Sequence, residues 1–197
     1  METVKNYIRE LKESIDCLDQ KRIEDITEIL LKGYRDGKNI FIVGNGGSAA
    51  TASHFACDLS KGTLTSHNDI NKKRFKVHSL TDNVAVMTAY GNDIDYESIF
   101  SQQLINLAQP EDILIAITAS GNSANIIKAV EVADHKKMHT IGFLGFDGGE
   151  VSKIVNNKII INSRNYGVIE DIHLILEHMI CQDLKEKINN NIFERVL

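Results

Sequence analysis

The sequence predicts an α/β fold in which helices cover both faces of a five-stranded parallel sheet. Short apolar runs such as 40–43 and 113–117 have the length and the β-branched content of buried strands. Helix-prone stretches separate these runs, and that alternation is typical of a parallel sheet. Two of the runs end in turns rich in glycine, serine and asparagine, each followed at once by a helix-prone stretch. In such sheets, ligands bind at the carboxyl ends of the strands.

The apolar runs and the helical periodicity give the predicted elements in chain order. The strands are predicted at 40–43, 75–80, 113–117, 140–144 and 158–161. Helices are predicted at 4–18, 23–34, 49–60, 84–91, 95–108, 124–135 and 168–188. Residues 63–74 are polar and aperiodic, which indicates a surface loop.

The first two helices precede the sheet and are more than the sheet needs to cover itself. Each has a single apolar stripe, as Tyr7 and Leu11 show in the first and Ile26 and Leu30 in the second. We expect residues 1–36 to form a hairpin that packs against another subunit, in preference to packing only on its own sheet. No linker, repeat or low-complexity tract divides the chain, so one domain is predicted over 1–197.

Composition limits the classes of function. The 197 residues are 43% hydrophobic and 25% charged, which is typical of a soluble globular protein. The net charge of -5 argues against broad nucleic-acid binding. The first 38 residues lack the apolar segment of a signal peptide or membrane span, so a cytoplasmic protein without membrane contact is expected. The three cysteines have no ligand-like spacing, which indicates free thiols.

The two turns that follow strands indicate an anion site. The first reads Gly44-Asn45-Gly46-Gly47-Ser48, and the second contains Ser120, Asn122 and Ser123. A helix start presents free N–H groups and a positive dipole end to an anion. The first turn lacks the Gly-Lys-Ser/Thr of a P-loop and the third glycine of a dinucleotide fingerprint, so a sugar phosphate fits better than ATP or NAD. Ordinary helix capping, or a glycine turn needed only for packing, is the alternative.

Histidines and carboxylates occur together on two of the predicted helices. His54 and Asp58 are four residues apart and therefore share one helix face. The last helix carries Glu170, His173, Glu177 and His178 within nine positions. A carboxylate and an imidazole can move a proton between adjacent carbons, or bind a zinc-like ion. Alternatively, each is a solvated helix residue.

These motifs together resemble one family. They are Gly44-Asn45-Gly46-Gly47-Ser48, His54-Phe55-Ala56, Gly91-Asn92-Asp93, Ser120-Gly121-Asn122-Ser123-Ala124-Asn125 and Asp147-Gly148-Gly149. The set resembles the phosphoheptose isomerases of the sugar isomerase (SIS) domain group over nearly the whole chain. The resemblance implies a flavodoxin-like α/β/α sandwich and a homotetramer with active sites between subunits. It also implies interconversion of sedoheptulose 7-phosphate and D-glycero-D-manno-heptose 7-phosphate, toward bacterial surface heptose.

The resemblance also implies roles for individual residues. Asp58 and His178 fall on the catalytic positions, and we expect Asp58 to be the base and His178 the acid, or the reverse. The expected substrate-binding residues are Asn45, Gly46, Ser48, Asn92, Asp93, Thr118, Ser120, Asn122, Ser123 and Glu170. The zinc that some members bind implies a ligand set of His54, Asp58, Glu170 and His178.

Four positions depart from the family pattern. Asp58 replaces a glutamate, Glu170 a glutamine, Gly62 an arginine and Gly167 an aspartate. The changes cluster around the sugar rather than the phosphate, so an isomerase of another ketose phosphate is the strongest alternative, and the added carboxylate favours a metal. Two further alternatives are an assembly factor that binds a replication initiator and a non-catalytic domain that senses sugar phosphates for a regulator.

Overall fold

A computed structural model describes residues 2–64 and 68–190, and its centre is a five-stranded parallel sheet. The strands are β1 (Asn39–Gly44), β2 (Lys76–Ser79), β3 (Ile113–Thr118), β4 (His139–Gly145) and β5 (Asn157–Ile161). Their order is β2-β1-β3-β4-β5, and each neighbouring pair is parallel. This is the strand order of the flavodoxin-like fold. The predicted fold class is therefore confirmed.

Eight α-helices surround the sheet within the described residues. They are α1 (Glu2–Asp16), α2 (Gln20–Asp36), α3 (Gly47–Cys57), α4 (Val84–Asp93), α5 (Ser101–Leu107), α6 (Ala124–His135), α7 (Val151–Ile154) and α8 (Tyr166–Asn189). The single helix predicted over 95–108 is wrong, because a 3₁₀ turn at Tyr96–Ser98 precedes α5. Between the two, Ile99 and Phe100 are fully buried. The predicted loop falls partly on 65–67, which lie outside the described residues.

The sheet separates two hydrophobic cores. Successive side chains of a strand point to opposite faces. Ile40 and Ile42 of β1 accordingly lie in the core with α2, α3 and α8, whereas Phe41 and Val43 lie in the core with α5, α6 and α7. The helix after β1 therefore packs on one face, and the helix after β3 packs on the other. A crevice between such helices is where ligands bind in open α/β sheets.

The two N-terminal helices differ in burial. Ile26 and Leu30 of α2 belong to the chain's own core, whereas no side chain of α1 is fully buried. Tyr7 of α1 donates a hydrogen bond of 2.6 Å to Asp171 of α8. The apolar residues Val4 and Ile8 stay 62% and 48% exposed. Packing of this hairpin on a second subunit stays a prediction.

The helices and the cysteines can be compared directly with what the sequence predicted. Among residues 2–64 and 68–190, no helix has both the length and the apolar character needed to cross a bilayer. Cys17, Cys57 and Cys181 are free thiols, as the sequence predicted.

Candidate active site

The two predicted turns lie side by side and form a small cavity, which we call the phosphate cradle. It consists of turns 44–48 and 118–123, which follow the adjacent strands β1 and β3, and Gly44 pairs with Ile117 across them. The cavity has a volume of about 210 Å³. Six predicted binding residues line it: Asn45, Ser48, Thr118, Ser120, Ser123 and Glu170. Gly46 lies within the first turn, at the N-cap of α3.

Two glycines make these turns possible. A Cβ atom on Gly44 would lie 2.4 Å from the carbonyl oxygen of Ser48, so only glycine lets α3 start this close to β1. Gly121 has a φ of +65°, and a Cβ atom there would lie 2.0 Å from the carbonyl oxygen of Gly148. The second turn therefore packs directly on the loop that follows β4.

Neither helix start at the cradle has a side-chain cap. Gly46 and Ser123 are the N-cap residues of α3 and α6, and neither makes a side-chain capping bond. Asn83 and Asn165, by contrast, cap α4 and α8 with their side-chain oxygens. The capping alternative therefore does not account for Ser123, whose hydroxyl group stays available to an anion.

Three predicted binding residues lie away from the cradle cavity or are used within the protein. Asn122 donates to the carbonyl oxygen of Ser120 at 3.0 Å and accepts from the backbone N–H of Glu150 at 3.1 Å, so it stabilises the second turn. Asn92 and Asp93 lie exposed at the end of α4, joined by a hydrogen bond of 2.8 Å. They are not among the residues that line the cradle.

Asn125 of α6 supports the cradle from behind, a role that was not predicted from the sequence. Its amide exchanges two hydrogen bonds with the amide of Asn45, at 2.8 and 2.9 Å. Tyr96 donates a further bond of 3.2 Å to the Asn45 oxygen. Asn45 is thus fixed from both sides, and the pair joins the first turn to α6. The sequence contained one signal for this role of Asn125: it is an asparagine inside a predicted helix, where asparagine is usually disfavoured.

A second group of polar residues lies further along α3 and α8. We call it the histidine–carboxylate group, and it contains His54, Asp58, Glu177 and His178. One ligand atom from each residue lies within 4.8 Å of the others. Asp58 Oδ2 is 3.7 Å from His54 Nε2 and 3.8 Å from His178 Nε2. Asp58 and His178, the predicted catalytic pair, are therefore close enough to contact the same small molecule.

The local chain path explains this grouping. Asp58 opens a π-helical turn, Asp58–Gly62, that continues α3 and is a feature common at functional sites. The helices α3 and α8 run side by side in the same direction, because Gly47 meets Glu170 and His54 meets Glu177. Between the first contact and the second, each helix advances by seven residues, which is about two helical turns or about 10 Å. The cradle and the histidine–carboxylate group thus lie along the same pair of helices.

Glu177 is the most unusual member of the group. Its side chain is 0% exposed, and neither carboxylate oxygen has a hydrogen-bond partner among the described residues. Burial, with a smaller contribution from the Asp58 carboxylate, raises the pKa of Glu177 to about 8. Burial and the same two carboxylates also raise the pKa of the Cys181 thiol, so that thiol stays protonated and unreactive.

Glu170 lies at the cradle rather than in the histidine–carboxylate group. An added Cβ atom on Gly47 would meet its Oε2 at 2.6 Å, which places the carboxylate beside the first turn of α3. A carboxylate is favoured there by the helix dipole. The group of possible metal ligands contains Glu177, and Glu170 is not part of it.

The predicted catalytic pair opens onto a second cavity of about 600 Å³. Asp58, Gly62, His178 and Lys185 are among its lining residues. A Cβ atom on Gly62 would lie 3.7 Å from that of Asp58, so the absence of a side chain there leaves space beside the carboxylate. His173, the second histidine that the sequence singles out on α8, instead lies buried against Phe143.

The fold and the site define a sugar isomerase domain. The family model described as SIS domain matches residues 4–145, and the chain therefore belongs to the SIS domain family. Among its relatives, a phosphoheptose isomerase from Clostridium acetobutylicum is 34% identical, with 93% of this chain and 95% of the relative covered. The structures of phosphoheptose isomerases from Neisseria gonorrhoeae and Francisella tularensis superpose with TM-scores of 0.84 and 0.85. They are 29% and 28% identical, and each comparison covers 94% of this chain and 96% of the other. The resemblance found in the sequence is confirmed.

Proposed function

We propose that this protein is an aldose–ketose isomerase that converts sedoheptulose 7-phosphate into D-glycero-D-manno-heptose 7-phosphate, in the synthesis of bacterial surface heptose. The observation that carries the proposal is the Asp58–His178 pair, 3.8 Å apart, on the same two helices that border the phosphate cradle. Relatives named phosphoheptose isomerase at about one-third identity over most of the chain support the choice of sugar.

The phosphate cradle binds the substrate and takes no part in the proton transfers. The hydroxyl groups of Ser48, Ser120 and Ser123 donate to the phosphate oxygens, and the uncapped starts of α3 and α6 add backbone N–H groups. Asn45, held in place by Asn125, presents an amide to the substrate. This anchoring fixes the position of the far end of the sugar and therefore of its reacting carbons.

Asp58 and His178 perform the proton transfers. Asp58 takes a proton from the carbon next to the carbonyl group while His178 donates one to the carbonyl oxygen, which gives an enediol. The hydroxyl group on the neighbouring carbon then returns its proton to His178, and Asp58 delivers its proton to the former carbonyl carbon. A ketose becomes an aldose with no net gain or loss of protons. Asp58 Oδ2 faces both imidazoles, so Oδ1 is the oxygen left for the substrate.

The residues present fit a divalent zinc ion. His54, Asp58 and His178 bring two imidazole nitrogens and a carboxylate oxygen within 4.8 Å of one another, which is a donor set that zinc prefers. When bound, zinc would supply Lewis-acid polarisation of a substrate oxygen, in place of the proton that His178 donates in the metal-free site. We keep Glu170 as a proposed substrate-binding residue, because it lies in the cradle.

We further propose a cytoplasmic homotetramer with active sites between subunits. Ser48 and Asp58 are ten residues apart on α3 and its continuation, which is roughly 15 Å of helix. A second subunit that supplies the histidine–carboxylate group would bring it nearer to the cradle. The exposed apolar residues Val4 and Ile8 on α1 provide a surface for such an assembly.

Turnover of defined substrates tests the reaction. The purified protein is incubated with a panel of five- to seven-carbon ketose phosphates, and the products are identified by NMR. We expect Asp58→Asn to reduce kcat by about 100-fold or more, because it removes a general base. The matched control Asp183→Asn changes a surface carboxylate on α8 that pairs with Lys187, and it should retain activity. Wild-type rates in Asp58→Asn would remove Asp58 from the mechanism.

The same panel tests a second candidate, a related ketose phosphate isomerase. The space that Gly62 leaves beside the Asp58 carboxylate favours it, since the reacting end of the sugar would bind there. Preferential turnover of a five- or six-carbon substrate would select this candidate. Absence of turnover with every sugar would overturn both isomerase proposals.

A mixing experiment tests whether subunits share a site. Ser120→Asp places a charge in the cradle, and Asp58→Asn disables the acid–base pair, so each variant alone should be inactive. Activity should return when the two are unfolded together and refolded as mixed oligomers. Continued inactivity of mixed oligomers would show that each site belongs to one chain.

A further inference from the structure

We propose that Glu177 is a ligand of the divalent cation, in the position that the family resemblance gives to Glu170. This inference rests on the metal site of the proposed function. It assigns the fourth protein ligand to a residue for which the resemblance implies no role. The geometry, the burial and the charge of Glu177 support the assignment independently.

The distances around Glu177 match those of a shared coordination shell. Glu177 Oε1 is 3.5 Å from His54 Nδ1 and 3.8 Å from His178 Nε2. Ligand atoms bound tetrahedrally to zinc at about 2.0–2.2 Å are about 3.3 Å from one another. These two separations are too long for good hydrogen bonds and exceed the tetrahedral value by about 0.2 and 0.5 Å. All four ligand atoms lie within 4.8 Å of one another, so the group would contract when it binds an ion.

Burial gives the second argument. Both oxygens of Glu177 are inaccessible to solvent, and within the described part of the chain neither accepts a hydrogen bond. A buried carboxylate needs a charged or hydrogen-bonding partner to offset its desolvation. Among the described residues, the titratable groups that face it are His54, His178 and Asp58, together with the protonated thiol of Cys181. A cation among the four would satisfy both oxygens and would favour the ionised form of Glu177, which burial and Asp58 otherwise disfavour.

Charge and reach distinguish Glu177 from Glu170. Two carboxylates with two neutral imidazoles balance the charge of a divalent ion, and a donor set of two nitrogens and two oxygens suits zinc. Glu170 lies seven residues earlier on α8, about 10 Å along the helix, where its carboxylate meets Gly47. It cannot reach the group without a large shift of α8.

Zinc binding by the purified protein tests the assignment independently of turnover. The protein is stripped with a chelator and titrated with zinc against a chromophoric competitor, and bound zinc is counted by mass spectrometry. Glu177→Gln should weaken zinc binding by 10-fold or more, whereas the matched variant Glu170→Gln should bind like the wild type. Cobalt binding gives a spectroscopic readout, because the visible absorption of the ion should change in Glu177→Gln and stay unchanged in Glu170→Gln.

The outcomes separate this inference from the proposed reaction. Unchanged zinc affinity in Glu177→Gln, loss of zinc in Glu170→Gln, or no zinc binding by the wild type would each overturn the assignment. A zinc-binding wild type that turns over no ketose phosphate would overturn the isomerase proposal and leave the assignment intact. Glu177→Asp keeps the charge and withdraws the carboxylate by one methylene group. It should give an intermediate affinity, and it replaces Glu177→Gln if that variant fails to fold.

Discussion

Acid should destabilise this protein through one buried histidine, His173 of α8. Its side chain is 1% exposed, and it packs near Phe143 with a ring separation of 6.3 Å. Nε2 donates to the Leu144 carbonyl oxygen at 3.2 Å, and buried Nδ1 has no partner among the described residues. Burial lowers the pKa of His173 to about 4, because a charged imidazole would lose its hydration; the bond to Leu144 opposes this only in part.

The sign and size of the effect follow from linkage. Between pH 6.5 and pH 4 the unfolded chain protonates His173 and the folded chain does not, so the free energy of unfolding falls as the pH falls. The contribution reaches about 1.4 kcal/mol per pH unit. A pKa that falls from 6.5 to about 4 therefore corresponds to about 3 kcal/mol in total.

Urea unfolding at several pH values between 7 and 4 measures this contribution. His173→Gln keeps a side-chain N–H but cannot take up a proton, so its free energy of unfolding should fall less steeply than that of the wild type. His135→Gln, at the exposed end of α6, is the matched control for the loss of a histidine and should follow the wild type. Parallel curves for the wild type and His173→Gln would refute the reasoning.

Three further substitutions test contacts around the site. Tyr7→Phe removes the bond from α1 to α8, so urea unfolding should show a loss of about 1 kcal/mol. Gly121→Ala combines a φ of +65° with a 2.0 Å approach to Gly148, and thermal or urea unfolding should show a loss of about 2 kcal/mol or more. Gly47→Ala pushes only the flexible end of Glu170 away, so KM should rise in steady-state assays while stability changes by less than about 0.5 kcal/mol.

For each of these three variants, one result would contradict the expected effect. An unchanged urea midpoint in Tyr7→Phe would mean that its bond does not fix α1. Gly37→Ala is the control for Gly121→Ala, because Gly37 also has a positive φ, of +67°, but only the end of a lysine side chain nearby. Gly37→Ala should lower the free energy of unfolding by about 1 kcal/mol. Equal losses in Gly37→Ala and Gly121→Ala would show that the close approach to Gly148 is not the cause. An unchanged KM in Gly47→Ala would remove Glu170 from substrate binding.

The sheet was predictable because its signals are local. Buried parallel strands are short apolar runs, and all five lie close to their predicted positions. The cradle was predictable for a related reason, since polar residues at the ends of parallel strands lie on the same edge. The break at Tyr96–Ser98 and the four-residue α7 were missed, because burial of Ile99 and Phe100 depends on the tertiary fold and α7 is too short to show a period.

The histidine–carboxylate group was only partly predictable. The spacing of His54 and Asp58 is local, but the register between α3 and α8 is not, and this register selects Glu177 over Glu170 as their neighbour. One signal was present: Glu177 occurs among positions such as Leu176 and Ile180 that face the core. A charged residue on the buried face of a helix requires a partner, and the sequence alone does not identify that partner.

The cradle lies at the carboxyl ends of β1 and β3, between helices that pack in different hydrophobic cores. A phosphate bound there would contact the first turns of α3 and α6, which belong to different cores. The bound substrate would then connect the helices on one face of the sheet with those on the other, which are otherwise joined mainly through the sheet. Ligand binding would slow amide exchange in both helices at once, so the protein would be most rigid while its substrate is bound.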